Sequence, residues 1–370
     1  LPKKPKESVM RWHRYLVNLP ESQKRSFFEK TEKIRYKYKT IEKLFKIKGR
    51  IKSQALDNMF FEFEELPIFG KEYWFMKFTS TDTETKKQLL IMFGRPEGKM
   101  KVNNSYVKNE KLDHNTLKGA IVCWFYDEEA ENICDSVCNI TISENQLISK
   151  SGDIKCIFSG NYPDYELKLT KRGDSICRLK IFEPDDNSPK YEISKNFKSL
   201  FGIECINSYL NFKGSLNSED FEGKCFVQKV IVVGPLVPWR WGRIIFKNGS
   251  ILYFFLPQLQ AFGFKYDISS ELMFYDSDSD RIYKINDLEV SEYGKKETRW
   301  VISSKKNNMI VIAKSYSMKP ITLESMGNLT YLEYLAEITD FYIETEDKVI
   351  SLKDLGSGIG LIENAYGYVI

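Results

Sequence analysis

Trp239 and Trp241 stand two residues apart, beside a corner built from Gly234, Pro235 and Pro238. On an extended strand the period of two sets both indoles on one face and Arg240 on the other. Two indoles side by side need a large apolar space to fill, and their π faces can steady a positive charge. The familiar nucleophilic engines are missing. The chain has 2 His, His13 and His114, both far in sequence from the Trp pair, and it carries no HExxH, GxSxG or phosphate-loop signature. This argues against Ser-His or Cys-His catalysis and leaves Asp, Glu, Tyr or Cys as the source of any general acid. Gly356-Ser357-Gly358-Ile359-Gly360 imitates a nucleotide-binding turn. It lacks the preceding strand and the following helix, so it reads as the turn into a last strand.

The elements that must position these residues are short strands. Cys225–Val233 and Trp239–Phe246 read as two apolar strands folded back across the corner. Asn248-Gly249 marks a hairpin into a third strand, Ile251–Leu256. Upstream, Lys71–Thr79 and Gln88–Phe93 flank a polar turn, and further strands are expected at 102–107, 120–126, 139–142, 154–158, 165–170 and 176–182. Asn58–Glu65 also alternates and reads as a strand. Ile206–Leu216 is expected to close the first half, with a boundary in the polar stretch Asn217–Glu222. Downstream, strands are expected at 272–275, 282–285, 300–303, 309–313 and 361–370. Leu329–Glu344, which contains Glu333, Glu337 and Asp340, is either one bent strand or two joined by a bulge near Ala336. No βαβ spacing occurs, so the class is all-β, a barrel or sandwich.

The length of 370 residues predicts two domains. Residues 1–54 hold 17 Lys/Arg and 5 Asp/Glu, whereas the remainder holds 38 and 46, so a basic arm precedes a mildly acidic body. In the arm, Met10–Leu19 and Ser22–Ile47 read as helices, the second with Phe27, Ile34, Tyr38, Ile41 and Phe45 on one side. Such an arm packs on a barrel or lies on an anionic membrane surface; nucleic acid is the weaker partner. The 7 Cys contain no CxxC and several fall in apolar runs, where a thiol acts as a small hydrophobe. The reading is a reducing cytoplasmic compartment, peripheral to a membrane if the arm docks there, with no metal and no cofactor. No apolar run is long enough to span a bilayer, and no signal peptide is visible. The chain begins at Leu1 without Met, which leaves room for an upstream segment.

The corner and its W-x-W resemble the middle of the hydroxyneurosporene synthase (carotenoid 1,2-hydratase) superfamily, whose members are two lipocalin-like barrels in one chain. Fungal calycin-type Diels–Alderases share that architecture. Glu72-Tyr73-Trp74-Phe75 resembles the segment that opens the first barrel, and Gly360 to Tyr368 resembles the strand that closes the second. After the N-terminal basic helical arm (1–54), the resemblance implies a first lipocalin-like barrel (55–220) and a second (221–370). It implies a cavity for an isoprenoid, carotenoid-like or other long apolar molecule, lined by Trp239, Trp241, Glu72, Tyr73, Trp74, Gln228 and Tyr366. Glu363 is then the candidate acid of a hydratase or cyclase, its pKa raised by burial among aromatics. The competing role for Glu363 is an ion pair with Arg240 or Arg243 that fixes the sheet. Two departures matter: the strand before the corner has Gln228 and no acid, and Arg240 stands where many relatives carry an acidic residue. The alternative function is a structural or interaction protein with solid barrels and a docking arm.

Overall fold

The structure, a computed structural model, describes residues 53–369 apart from 68, 187, 199–200, 235, 262–263, 268–269 and 295–296. The arm helices expected at 10–19 and 22–47 lie outside the described residues. The described residues open with helix α1 (Ser53–Phe60) and continue with β1 (Gly70–Ser80), β2 (Gln88–Pro96), β3 (Lys99–Val102), β4 (Ser105–Lys108), β5 (Thr116–Asp127), β6 (Glu129–Ser143) and β7 (Gln146–Ser151). Then come β8 (Ile154–Asn161), β9 (Asp164–Lys171), β10 (Asp174–Phe182), β11 (Tyr191–Lys198), β12 (Phe201–Leu216) and β13 (Glu219–Val233). The second half has β14 (Trp239–Phe246), β15 (Ile251–Ala261), β16 (Phe264–Asp267), β17 (Glu271–Asp276), β18 (Arg281–Ile285), β19 (Leu288–Tyr293) and β20 (Arg299–Ser304). It ends with β21 (Met309–Ser325), β22 (Gly327–Glu344), β23 (Val349–Ser351), helix α2 (Leu352–Leu355) and β24 (Gly358–Val369).

The fold is all-β, as the alternation requires. In the first unit the order β10-β9-β8-β7-β6-β5-β2-β1-β13-β12 closes on itself through β10–β12 pairing, so ten antiparallel strands make a barrel. The second unit is a sheet with the order β18-β17-β15-β14-β24-β22-β21-β20-β19, curled around its own core. That core draws Leu272 from one end of the order and Leu288 and Trp300 from the other.

Strand parity sorts the apolar side chains into three layers. Even residues of β1 (Trp74, Met76, Phe78) fill the barrel with Phe93, Phe158 and Phe212, while Phe75 faces outward. Ile244, Phe246, Leu252, Phe274 and Phe341 fill the second sheet. The third layer lies between the two units and joins Phe75, Trp124, Phe226 and Val230 to Trp241, Tyr331, Leu335 and Leu361.

Three expectations are corrected. Asn58–Glu65 is not a strand: α1 runs to Phe60, and Leu56, Met59 and Phe60, at helical spacing, plug the barrel. The two strands around the corner do not pair with each other. β13 pairs with β1 and β12, whereas β14 pairs with β15 and β24, so the corner carries the chain from one sheet to the other. The change of unit therefore falls after Val233 rather than near residue 220. The long segment is one strand, β22, and its register against β21 shifts twice, where Thr339 of β22 and Tyr316 of β21 bulge.

Candidate functional site

β14 presents Trp239, Trp241 and Arg243 on the face opposite Ile244 and Phe246, which belong to the second core. Both indoles therefore enter the layer between the two units and not the interior of a barrel. Trp241 meets Phe75 edge-on at 6.3 Å and Phe226 at 5.4 Å between ring centroids. Tyr331 lies 5.4 Å from Trp239.

The register then does something the sequence does not announce. Trp241 pairs with Glu363 of β24, Glu363 with Glu333 of β22, and Glu333 with Lys319 of β21. A single cross-strand row thus brings two carboxyls side by side. Trp239 Nε1 donates to Glu363 Oε2 at 2.7 Å. Trp124 Nε1, from the facing barrel, donates to Glu333 Oε2 at 2.9 Å, while Glu333 Oε1 has no hydrogen-bond partner. From β1, buried Lys77 donates to the Arg243 carbonyl oxygen at 3.2 Å and lies in the field of both carboxyls.

Burial pushes Glu363 up to about 7, opposed by the Trp239 hydrogen bond and Lys77. Burial and the adjacent Glu363 push Glu333 up to about 8. Lys77 is driven well below the ordinary lysine range by burial and by Arg243. Charges in a layer poor in water cost more than their neutral forms, so the acids keep protons and the amine loses its own more readily. The two carboxyls titrate as a pair. The arrangement offers a proton donor at neutral pH beside aromatic faces able to steady a cation.

Of the residues chosen from sequence, Trp239, Trp241 and Glu363 come together, and Tyr73 packs in the same layer, its hydroxyl held protonated chiefly by burial. Gln228 shares the layer but donates to Asn207 Oδ1 at 2.8 Å. Trp74 and Glu72 turn to the other side of β1. Trp74 stacks on Phe93 inside the barrel and donates to the Phe60 carbonyl. Glu72 is held by Arg95 and Lys229, each at 2.9 Å. Tyr366 is 41% exposed and has the opposite parity to Glu363. The competing ion pair of Glu363 is not formed, since Arg240 Nη1 donates to the Val290 carbonyl and Arg243 Nη1 to the Cys225 carbonyl. Glu333, Lys77 and Trp124 were missed. A lone charge inside an apolar run, as in Tyr331-Leu332-Glu333-Tyr334-Leu335, is the signal that would have found the first two.

A surface cleft of about 770 Å³ lies elsewhere, where Arg178, Lys180 and Lys213 face Asp82, Asp220 and Glu222. Its mixed charged lining contains none of the residues of the acid pair. All seven cysteines are buried, and none is in a disulfide. No helix among the described residues is long and apolar enough to cross a membrane.

No protein-family model matches the chain, and no curated protein matches it. Among solved structures, the "putative AttH" of Nitrosomonas europaea aligns at a TM-score of 0.40 and 8% identity, over 80% of this chain and 92% of that one. CghA, solved with Sch210972, aligns at 0.40 and 8% identity, over 83% of this chain and 89% of that one. The assignment to an all-β class with a closed barrel rests on the strand pairing of the chain itself.

Proposed function

We propose that the protein binds a long apolar molecule, isoprenoid or similar, in a crevice between its two β units, and presents Glu363 and Glu333 to it as proton-bearing carboxyls. The observation that carries this reading is the paired, buried carboxyls. Each is held by one indole N–H where a purely structural carboxylate would gather cations. The filled interior of the first barrel directs the ligand to the intervening layer. There Tyr73, Trp239, Tyr253 and Phe255 pack between the sheets yet stay partly accessible, which supports a crevice and not solid packing. A protonated carboxyl there can deliver a proton to a double bond, with Trp241 and Trp239 beside the cation that forms. The W-x-W corner and the closing strand support placing the chain with the carotenoid 1,2-hydratase superfamily as a hydratase or cyclase.

The test is turnover of a bound polyene, followed by mass spectrometry, in wild type, Glu363→Gln and Glu333→Gln. Loss of product with retained binding supports the acid role. Unchanged turnover in both variants removes the pair from the mechanism. A second reading, carried by the charge contrast between residues 1–54 and the rest, is that the arm docks the protein on an anionic membrane from the cytoplasmic side. Sedimentation with anionic vesicles, with and without the arm, tests it; absent or salt-insensitive binding retires it.

A further inference from the structure

Arg243 is 2% exposed, yet among the described residues it makes no ion pair. Its Nη1 donates to the Cys225 carbonyl at 3.2 Å and its Nε has no partner. The rings of Tyr209 and Phe226 lie 4.8 and 5.6 Å from the guanidinium carbon. A guanidinium keeps its charge when buried, and a buried charge without a counter-ion is strongly disfavoured. Of the other deeply buried cations, Arg95 and Lys229 share Glu72, while Lys71 and Lys77 reach only carbonyl oxygens and are amines that burial drives towards the neutral form. Arg243 cannot shed its charge in that way, and it stands on the same face of β14 as Trp239 and Trp241. Tyr253, directly opposite Arg243 in register, is among the partly accessible aromatics of the layer.

We propose that the molecule bound between the sheets is an amphiphile with an anionic head, a carboxylate or a phosphate ester, seated on Arg243. This rests on the crevice reading above. The guanidinium fork matches the paired oxygens of either head, and Lys77, bonded to the Arg243 carbonyl, is a second N–H donor close by, whose proton a bound anion would help to hold. Lys77 also senses Glu333 and Glu363, so the acid pair lies beyond it along the same layer. A head fixed at Arg243 then sends the apolar tail past Trp241 towards Glu363, and the distance between head and acid selects which tail atom receives the proton.

Binding to the full chain, followed by quenching of Trp fluorescence, distinguishes the head from the tail. Retinoic acid and retinol share one tail and differ in the head; farnesyl diphosphate and farnesol form a second such pair. The anionic member of at least one pair is expected to bind about tenfold tighter or more than its alcohol, and the pair showing the larger gap tells carboxylate from phosphate. Arg243→Met should remove that gap while alcohol affinity stays within about twofold, with Arg243→Lys intermediate. If Arg243→Met does not fold, by circular dichroism, the wild-type comparison decides alone. Alcohols that bind as tightly as their anions in wild type overturn the head assignment and leave the crevice reading standing. Failure of all four probes to bind overturns both.

Discussion

Two groups of buried carboxyls sit on opposite faces of the strands of this molecule, and they are solved differently. Glu72, inside the barrel, receives Arg95, Lys229 and the Glu64 backbone N–H, so its charge is met on every side. Glu363 and Glu333, between the units, each receive one indole N–H and sit beside each other. The first arrangement keeps a charge buried. The second keeps a proton, which is useful for acid chemistry and costly for stability above neutral pH.

The largest effect separating the two should come from Glu72→Gln, which leaves two buried cations without their carboxylate. A loss of about 3–5 kcal/mol is expected in urea unfolding. Glu333→Gln should act oppositely, and in a pH-dependent way. Burial and the neighbouring Glu363 push the folded carboxyl up to about 8 against an ordinary 4.5, so the native state holds the extra proton. The stability it contributes is full below about pH 4.5 and is lost as pH rises through about 8. The Gln variant should lack that loss and exceed wild type by on the order of 2–4 kcal/mol at pH 9. Equal slopes of stability against pH would show that Glu333 is ionised in the fold. Trp239→Phe removes the donor that holds Glu363 down, so the carboxyl should titrate about half a unit to one unit higher in infrared spectra. Arg172→Ala, which breaks an exposed pair with Asp153, is the control. It should shift stability by less than about 0.5 kcal/mol.

Most strands were legible because alternation is local. The β1–β2 hairpin, the Asn248-Gly249 turn and the strands of the first barrel follow from the period of two and from turn residues. Which face is which was not legible. Trp239 and Trp241 had to share a face, but both faces of β14 are apolar, and alternation alone does not distinguish a barrel interior from an interface. The acid pair was half visible. Glu363 was reached through the closing-strand pattern, whereas Glu333 gains its meaning only from the register of β22 against β24, which sequence does not encode locally. Helix α1 was misread because Phe60, Phe61 and Phe63 mimic strand alternation. Its true face is set by the barrel mouth that it plugs.

The hairpin formed by β3 and β4 belongs by sequence to the first unit but hydrogen-bonds to β21 of the second, at Leu323–Val102 and Glu324–Lys101. It works as a latch. Separating the halves by cutting the chain after Val233 would strip the latch from its keeper and lay bare the apolar surfaces that now meet. Neither half is then a natural unit for separate expression, since each would carry an exposed strand edge or apolar face that the other now covers.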